Sequence, residues 1–549
     1  MNQPNRGPHP PDSPRSAVRL RGKQVGFAIL AGLMLGGVIV TLDGLRRVDS
    51  RSIFLGLEGV WGPLFMVLAL LAIVSIGTIW LRPKKKYLVM SALFLSGVLA
   101  VGATLFRIDS FYGSMMPRFA WRWSPTPEAT FENYQASQPA SGEPERVVIA
   151  VEETPWDYPG FLGSQRNGVV QGLRIDPDWS GRVPEEQWRH PVGLGWSGFA
   201  IVGDLAITQE QRGEQEAVVA YHRKTGVECW SHEDQARFRD AHGDGPRATP
   251  TIFGGRVFTM GATGILNCLD VGSGALIWRQ ETLPESTSTN LLWGMAGSPL
   301  VLGEWVIVSP GGGPGRSLIA YRIDDGSEVW AAGDDPAGYA SPMLAEFSGK
   351  KQIISFNGAG LRGYSLDGEP LWFYPWLTQG ELQRVNVAQP VVVPSTIAGV
   401  EHDQVLISSG YSMGMSLLEV SCRGQEWKVE ERWHSNALKS KLSNFVLFDG
   451  HIYGLDNGIL TCLELATGRL VWKQGRLGHG QILLVDATLL IQAESGEIVL
   501  VAARPDGYKE HARLAALTAK TWNHAALSGG YLLVRNDREA ACYRLPLLP

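Results

Sequence analysis

The chain has few cysteines and none of the short patterns that place zinc or a covalently bound haem. Its 549 residues include five cysteines, which is too few for a disulfide framework. No Cys-x-x-Cys, Cys-x-x-Cys-His or His-Glu-x-x-His sequence occurs, so nothing indicates a zinc site or an attached haem. We therefore predict no metal site and interpret the cysteines as small buried apolar residues.

An excess of positive charge is also missing. Lysine and arginine total 49 against 54 acidic residues, for a formal net charge of −5. The basic residues cluster beside apolar runs near the N-terminus and form no stripe elsewhere. A nucleic acid is therefore not an expected partner, because such binding surfaces are strongly basic.

Long apolar runs are present only in the first part of the chain. Three of them, at 25–42, 60–81 and 87–106, each have about the 20 residues that a transmembrane helix needs. They predict a membrane region over 24–106 that binds the lipid bilayer, with a cleaved signal peptide as the alternative for the first run. The Pro-rich stretch 1–23 is expected to be a disordered cytoplasmic terminus.

Basic residues predict the orientation of these spans. Arg15, Arg19 and Arg21 precede the first run, and Lys84 and Lys85 lie between the second and third. By the positive-inside rule both segments are cytoplasmic. The rest of the chain is then periplasmic or otherwise extracytoplasmic on an inner-membrane protein, beginning with a linker over 107–155 that has no sustained period.

A six-residue block with a turn glycine and a tryptophan recurs along the last two-thirds of the chain. Five copies fit the pattern (Thr/Ser/Asp)-Gly-x-x-x-Trp: Thr225–Trp230, Ser273–Trp278, Asp325–Trp330, Asp367–Trp372 and Thr467–Trp472. Apolar strand-like segments precede the glycines, which supply the positive φ of a tight hairpin. A period of roughly 40–50 residues built from short strands is typical of β-propeller blades. The tryptophans are expected to cover the seams between blades.

The motif resembles the PQQ-like repeat family, which includes quinoprotein dehydrogenases and the assembly lipoprotein BamB. The resemblance covers about residues 156–549 and implies a propeller. Some family members bind pyrroloquinoline quinone (PQQ) and many do not, so the resemblance leaves the activity open.

The number of blades follows from the segments that open each repeat. Eight openings can be aligned, with these residues at the equivalent polar position: Ser197, Thr249, Ser298, Ser341, Gln389, Asn444, Gln481 and His524. The last repeat ends after three strands, and the segment 187–193 is expected to supply its outer strand, so that the ring closes without free edges. We predict an all-β propeller of eight blades, with seven as the alternative. By the same alignment Cys268, Cys462 and Cys542 occupy matching strand positions.

The blade openings and the loops before them predict a site at the mouth of the central channel. The candidate ligand-binding residues are His242, Arg247, Asn290, Trp293, Arg384, Asn386, Lys441, Asn444, His479, Gln481, Asn523 and His524. Cationic groups, amides and a tryptophan suit a planar anionic ligand. Small polar side chains at strand starts also cap strands or bind water, and that structural role is the alternative.

Two functions follow from the resemblance. The first is a binding or scaffolding module of the cell envelope, similar in role to BamB, with envelope proteins as partners. The second is a PQQ-dependent dehydrogenase that oxidises an alcohol or sugar and passes electrons to membrane quinone. That chemistry needs Ca²⁺ or Mg²⁺ on carboxylate and amide oxygens and an aspartate base. Asp244 is the candidate base, but the metal ligands cannot be matched, so the binding role is preferred.

Overall fold

The computed structural model describes residues 96–97, 101–138, 151–283, 290–311, 313–377, 385–393 and 403–548. The chain divides into two compact units, residues 1–109 with 119–122, and residues 110–118 with 123–549. The second unit holds eight sheets, each built on four antiparallel strands. Seven of them take these strands in chain order, the eighth takes one strand from upstream of the first sheet, and the seventh carries a fifth, parallel strand. The prediction of eight blades is therefore confirmed.

The strands of the first four blades follow one another along the chain. Blade 1 has Ala200–Val202, Leu205–Arg212, Gln215–His222 and Glu228–Asp234. Blade 2 has Thr251–Phe253, Arg256–Met260, Ile265–Asp270 and Leu276–Glu281. Blade 3 has Leu300–Leu302, Trp305–Val308, Leu318–Arg322 and Glu328–Ala332. Blade 4 has Met343–Phe347, Lys350–Phe356, Gly360–Tyr364 and Pro370–Pro375.

The other four blades complete the ring. Blade 5 has Val391–Val393, Gln404–Ser409, Gly414–Arg423 and Glu426–Ser435. Blade 6 has Ser440–Phe448, His451–Asp456, Ile459–Glu464 and Leu470–Arg476. Blade 7 has Gln481–Val485, Thr488–Gln492, Glu497–Ala502 and Glu510–Ala515. Blade 8 has Ala526–Ser528, Tyr531–Arg535, Glu539–Arg544 and, from upstream, Glu185–Pro191.

The repeated tryptophan lies at the same position in the fourth strand of most blades. In blade 2 it is Trp278, opposite Cys268, and the register shifts by a β-bulge directly after this pair. Cys462 lies opposite Trp472 and Cys542 opposite Trp188, each followed by the same shift. The predicted equivalence of the three cysteines is therefore confirmed. The bulge adds twist to the outer strand.

Five of the repeated tryptophans pack on the turn glycine of the next blade. Trp230 of blade 1 covers Gly274 of blade 2, and its Nε1 donates to the carbonyl of Val271 at 3.0 Å. Trp278 covers Gly326 in the same way and donates to Ile323 at 2.9 Å. The glycine in the motif therefore supplies a positive φ and also leaves room for the neighbouring tryptophan. This confirms the seam-covering role.

The ring closes through a strand from before blade 1. Glu185–Pro191 pairs antiparallel with Glu539–Arg544, so that Trp188 lies opposite Cys542. The predicted closure by the segment 187–193 is confirmed. Fully buried Arg535 reinforces the seam, because its guanidinium donates to Thr208 Oγ1 at 2.7 Å and to the carbonyls of Gln209 and Gly193 at 2.9 Å each.

The segment predicted as a linker contains a helix, Pro127–Ser137. Thr126 caps it by accepting the Ala129 N–H at 3.1 Å, and proline occupies its first turn, as is typical of helix starts. Tyr134 stacks on His190 of blade 8 with ring centroids 5.4 Å apart. Glu128 and Arg237 form an ion pair at 2.7 Å. The helix is therefore docked on the propeller.

The structure corrects the prediction of a three-helix transmembrane region. The spans predicted at 25–42 and 60–81 lie outside the described residues, as does the N-terminal stretch 1–23. Across the ranges that the structure does describe, there is no helix whose length and apolarity would let it cross a bilayer. Where the third span was predicted to end, the helical residues 101–105 give way to a strand, Phe106–Phe111, paired with Pro117–Trp121. The polar residues Arg107, Asp109 and Ser110 follow the apolar run and alternate with apolar residues, a pattern that favours a strand.

Candidate functional site

The predicted polar ring forms one hydrogen-bonded circuit around the axis. The openings of blades 1 to 5 each donate a backbone N–H to a side chain of the next blade. Gly198 donates to Thr249 at 3.2 Å, Thr249 to Ser298 at 3.0 Å and Ser298 to Ser341 at 2.9 Å. Ser341 donates to Gln389 at 3.1 Å, and Gln389 to Asn444 at 2.7 Å. These groups satisfy one another, which favours the structural role for them.

Three amide side chains complete the circuit through blades 7 and 8. Asn444 Nδ2 lies 2.8 Å from His524 Nε2. Gln481 Nε2 donates to the carbonyls of Leu442 and Trp522, each at 2.9 Å. Asn523 Nδ2 donates to the carbonyl of Ser197 at 2.8 Å, which returns to blade 1. The predicted residues Asn444, Gln481, Asn523 and His524 are thus brought together as joints between blades.

His524 is held as a neutral imidazole. Burial lowers its pKa from 6.5 to about 3, and an acceptor role for Nε2 toward the Asn444 amide requires that nitrogen to be unprotonated. The ring of Phe161 lies edge-on against it at 4.8 Å. A neutral, packed histidine on the axis stabilises the ring and supplies no cation for a ligand.

The segment that carries Phe161 closes the channel from the far end. Its Arg166 is buried, and burial lowers the pKa of the guanidinium to about 10. The guanidinium donates to the carbonyls of Ser298, Pro342 and Pro299 and to Thr251 Oγ1. Three blades are thereby tied to one side chain, and Val169–Val170 continues the plug by pairing parallel to the first strand of blade 7.

Aromatic rings surround the opposite end of the channel, the mouth. Trp196 and Trp522 lie 5.0 Å apart, and buried Lys520 places its ammonium 4.7 Å and 4.1 Å from their centroids. Lys520 also donates to the carbonyl of His242 at 2.7 Å. His242 meets Trp293 edge-on at 5.6 Å, so that blades 8, 1 and 2 are braced against one another at the mouth.

Arg247 and Asp244, both predicted at the mouth, are bound to nearby protein groups. Arg247 donates to the carbonyls of Gly243 and Gly245, and its guanidinium lies 4.5 Å over the ring of Phe238. Asp244 accepts Arg237 at 3.0 Å and the Asp240 N–H at 3.1 Å. Burial raises the pKa of Asp244, although Arg237 and Arg247 oppose the shift. Its contacts are those of a residue that fixes a loop.

Two of the predicted amides do not face a ligand space. Asn386 is buried, donates to the carbonyl of Asn357 at 2.7 Å and accepts from Ser409 at 2.7 Å. Asn290 is exposed and donates to the carbonyl of Ala262 at 2.9 Å. Arg384 lies outside the described residues.

Lys441 and His479 meet at the mouth of blades 6 and 7, around buried Glu494. Oε2 of Glu494 accepts the His479 N–H at 3.1 Å, and Oε1 accepts the Trp522 indole N–H at 2.8 Å. Burial lowers the pKa of Lys441, against the attraction of Glu494. Burial also lowers the pKa of His479. We call these four residues, Lys441, His479, Glu494 and Trp522, the blade 6–7 cleft.

The blade 6–7 cleft holds a turn from the N-terminal side of the unit. Gly113 donates its N–H to Glu494 Oε1 at 2.6 Å, and its carbonyl accepts Lys441 Nζ at 2.8 Å. The turn is closed by hydrogen bonds between Tyr112 and Met116 at 3.0 Å and between Met115 and Tyr112 at 2.8 Å.

Sequence reasoning missed several residues of the mouth. Glu494 lies in the hairpin between the second and third strands of blade 7. The predicted site residues came only from the loops that lead into first strands. Both kinds of loop lie at this end of a four-stranded antiparallel blade. Trp196 and Trp522, which lie one and two residues before the ring positions Ser197 and His524, were a further sequence signal for residues of the mouth.

Comparison with known proteins agrees with the repeat pattern. Residues 214–474 match the family model described as outer membrane protein assembly factor BamB. Over this range the repeats match those of the PQQ-like β-propeller family. No curated protein sequence matches the chain.

Two solved dehydrogenase structures show the same fold. A europium-containing methanol dehydrogenase matches with a TM-score of 0.53 and 12% identity, over 72% of this chain and 92% of that one. A quinohemoprotein alcohol dehydrogenase from Pseudomonas putida HK5 matches with a TM-score of 0.52 and 11% identity, over 75% and 83%. BamB from Moraxella catarrhalis has a TM-score of 0.45 and 16% identity, over 66% and 98%.

The mouth of this PQQ-like propeller does not fit a quinone cofactor with its cation. Asp244 is paired with Arg237, and Glu494 is bound by three N–H donors. Arg247 and Lys441, the cations expected to hold an anionic ring system, are engaged by backbone carbonyls. Within the described ranges no group of three or more His, Cys, Asp or Glu residues is arranged to hold a metal ion. A metal-held quinone would have to displace most of these contacts.

Proposed function

We propose that the protein is a non-catalytic binding module, a rigid eight-bladed ring that presents its mouth to protein partners. One observation carries this proposal. The axis is occupied by the chain's own groups, the Arg166 plug and the polar ring, and the turn at Gly113 fills the blade 6–7 cleft. A cofactor in the channel would need this space, whereas a protein partner can contact the outer rim of the mouth.

The rim has the properties of a binding surface. Leu292 is 50% exposed beside half-buried Trp293, and Met116 of the turn is 64% exposed. Large apolar and aromatic side chains on a rigid support are common at protein interfaces. The description of the matched family as an assembly factor also supports a role in binding proteins.

Cofactor binding tests the proposal directly. The purified full chain is titrated with PQQ and Ca²⁺, with tryptophan fluorescence and alcohol-dependent dye reduction as readouts and a quinoprotein dehydrogenase apoenzyme as the positive control. We expect no saturable fluorescence change and no dye reduction. Saturable micromolar binding together with dye reduction would make the protein a dehydrogenase.

Photo-crosslinking in the native cell tests the binding role. A photoreactive amino acid replaces Leu292 at the mouth or, as the matched control, Val471, which is 41% exposed on the outer strand of blade 6. We expect discrete protein adducts from position 292 and none from position 471. An absence of adducts at 292, or equal adducts at both positions, would count against a partner at the mouth.

A further inference from the structure

Both polar backbone groups of one residue are bound by charged side chains in the blade 6–7 cleft. Glu494 Oε1 accepts the Gly113 N–H at 2.6 Å, and Lys441 Nζ donates to the Gly113 carbonyl at 2.8 Å. Hydrogen bonds to ionised groups are shorter and stronger than neutral ones. The pair therefore clamps the backbone of one residue: the Glu494 carboxylate accepts its N–H, and the Lys441 ammonium donates to its C=O.

The cleft also selects against a side chain on the residue that it holds. A Cβ added to Gly113 would lie 2.3 Å from Cδ2 and 2.6 Å from Cγ of His479. His479 is 5% exposed and its backbone N–H is bound to Glu494, so the ring has little room to move. Only glycine places its backbone between Glu494 and Lys441 without displacing the imidazole.

The clamp is pre-organised independently of the turn. Trp522 Nε1 and the His479 N–H hold the two oxygens of Glu494. Lys441 lies 5.3 Å from the ring of Tyr411, which orients its ammonium. His479 Nδ1 is buried and has no hydrogen-bond partner among the described residues, so the cleft retains a polar atom that the turn does not use.

The turn itself is held by few contacts. Gly113 is buried, but Ser114, Met115 and Met116 are exposed, the last two at 57% and 64%. Segments with little buried surface open most readily. A tethered segment competes at an effective concentration on the order of millimolar, so a partner replaces it only by binding the open cleft more tightly than the turn does or by reaching a comparable concentration.

We propose that the blade 6–7 cleft recognises a glycine at the tip of a tight turn in a partner protein, and that the chain's own Tyr112–Met116 turn occupies the cleft until such a partner binds. This inference rests on the proposed binding function and names its ligand. The ligand is a glycine whose N–H and C=O are bound by Glu494 and Lys441, and whose neighbouring residues remain outside the cleft. Exposed, adaptable Met115 and Met116 extend the contact surface.

A labelled peptide with the sequence of Phe111–Arg118 serves as the probe. Gly113→Ala in the full chain removes the cis occupant by the clash with His479, and its melting curve shows that the propeller is folded. We expect saturable binding of the peptide to this variant by fluorescence anisotropy, and binding at least tenfold weaker to the wild type. Ser114→Ala, an exposed neighbour in the same turn, is the matched control and should behave as the wild type.

The recognition elements are tested separately. The same peptide with alanine in place of glycine should bind the Gly113→Ala protein at least tenfold more weakly. Glu494→Gln added to that protein should weaken the binding of the glycine peptide by a similar factor. Equal binding of both peptides, equal binding to wild type and variant, or no binding to a folded variant would each overturn the proposal.

A second measurement does not depend on the glycine variant. Millimolar glycine peptide added to the wild type should accelerate hydrogen exchange at the Gly113 amide, because the cis turn is displaced, while the alanine peptide should not. Unchanged exchange with both peptides would overturn the proposal. Neither readout involves PQQ. Failure of the glycine-recognition proposal is therefore distinguishable from failure of the proposed binding function, which would be marked by cofactor binding together with dye reduction.

Discussion

Trp230 lies on the turn glycine Gly274 of the next blade, so close that a Cβ on Gly274 would come within 2.4 Å of the indole ring. The same contact recurs between Trp188 and Gly226 and between Trp433 and Gly468. The motif therefore encodes contacts between neighbouring blades, because the tryptophan of one copy packs on the glycine of another. Within a single copy, the glycine and the tryptophan lie in the same hairpin.

Gly274→Ala is expected to destabilise the propeller by roughly 2–5 kcal/mol. About 1–2 kcal/mol comes from the left-handed backbone, since φ is +68°, and about 1–3 kcal/mol from overpacking against Trp230. Gly254→Ala is the control in the same blade, because its φ is +56° but nothing lies within 4 Å of its Cβ. Denaturant unfolding measures both. Equal losses would show that the indole contact has no energetic role.

Arg535→Met is expected to cost about 2–6 kcal/mol, because the buried carbonyls of Gln209 and Gly193 would each lose their charged donor, and an unsatisfied buried acceptor costs about 1–3 kcal/mol. Arg535→Lys should recover only part of the loss, since an ammonium cannot reproduce the fork of a guanidinium. Arg469, with 81% of its side chain exposed in an ion pair, is the control, and Arg469→Met should change stability by less than about 0.5 kcal/mol. A shift in denaturation midpoint as small for Arg535→Met as for the control would refute a role in closure.

His524 should make the fold sensitive to acid. Its folded pKa of about 3 lies below the ordinary 6.5, so the unfolded chain binds the proton more readily. Its contribution is complete above pH 6.5 and is lost as the pH falls toward 3, by at most about 1.4 kcal/mol per pH unit. His524→Gln, which keeps an acceptor for Asn444, should reduce the slope of stability against pH between 6 and 4. An unchanged slope would mean that the imidazole is protonated in the folded state.

All five cysteines are free thiols, and three should be unreactive in the folded protein. Cys268, Cys462 and Cys542 are buried, and burial raises the pKa of each to about 11 or 12. A thiol reagent at pH 8 should label Cys422 first, then partly buried Cys229, and the other three only after denaturation. Fewer than five labelled thiols in denaturant without reductant would reveal a disulfide.

The repeat pattern predicted the blades well because it reflects local and nearest-neighbour contacts. The turn glycine, the tryptophan and the position of Cys268 all lie within one hairpin, so their spacing is fixed in sequence. Closure of the propeller ring by 187–193 could also be inferred, because the last repeat has three strands and a fourth strand removes its free edge.

The plug and the occupied cleft could not be predicted in this way. Arg166 contacts residues 85 to 176 positions away, and Gly113 meets Glu494 across 381 positions. Neither segment has a repeat or a sustained period to identify its partner. The membrane prediction rested on hydropathy, which detects apolar runs without showing the length of a helix, and no helix among the described residues is long and apolar enough to span a bilayer.

The strand Glu185–Pro191 pairs with residues 539 to 544, which has a consequence for biosynthesis. Glu185–Pro191 leaves the ribosome some 350 residues before its partner strand in blade 8. Synthesis adds about 5–20 residues per second. During that interval the nascent ring has an open edge, and the emergence of Glu539–Arg544 is the step that lets it shut.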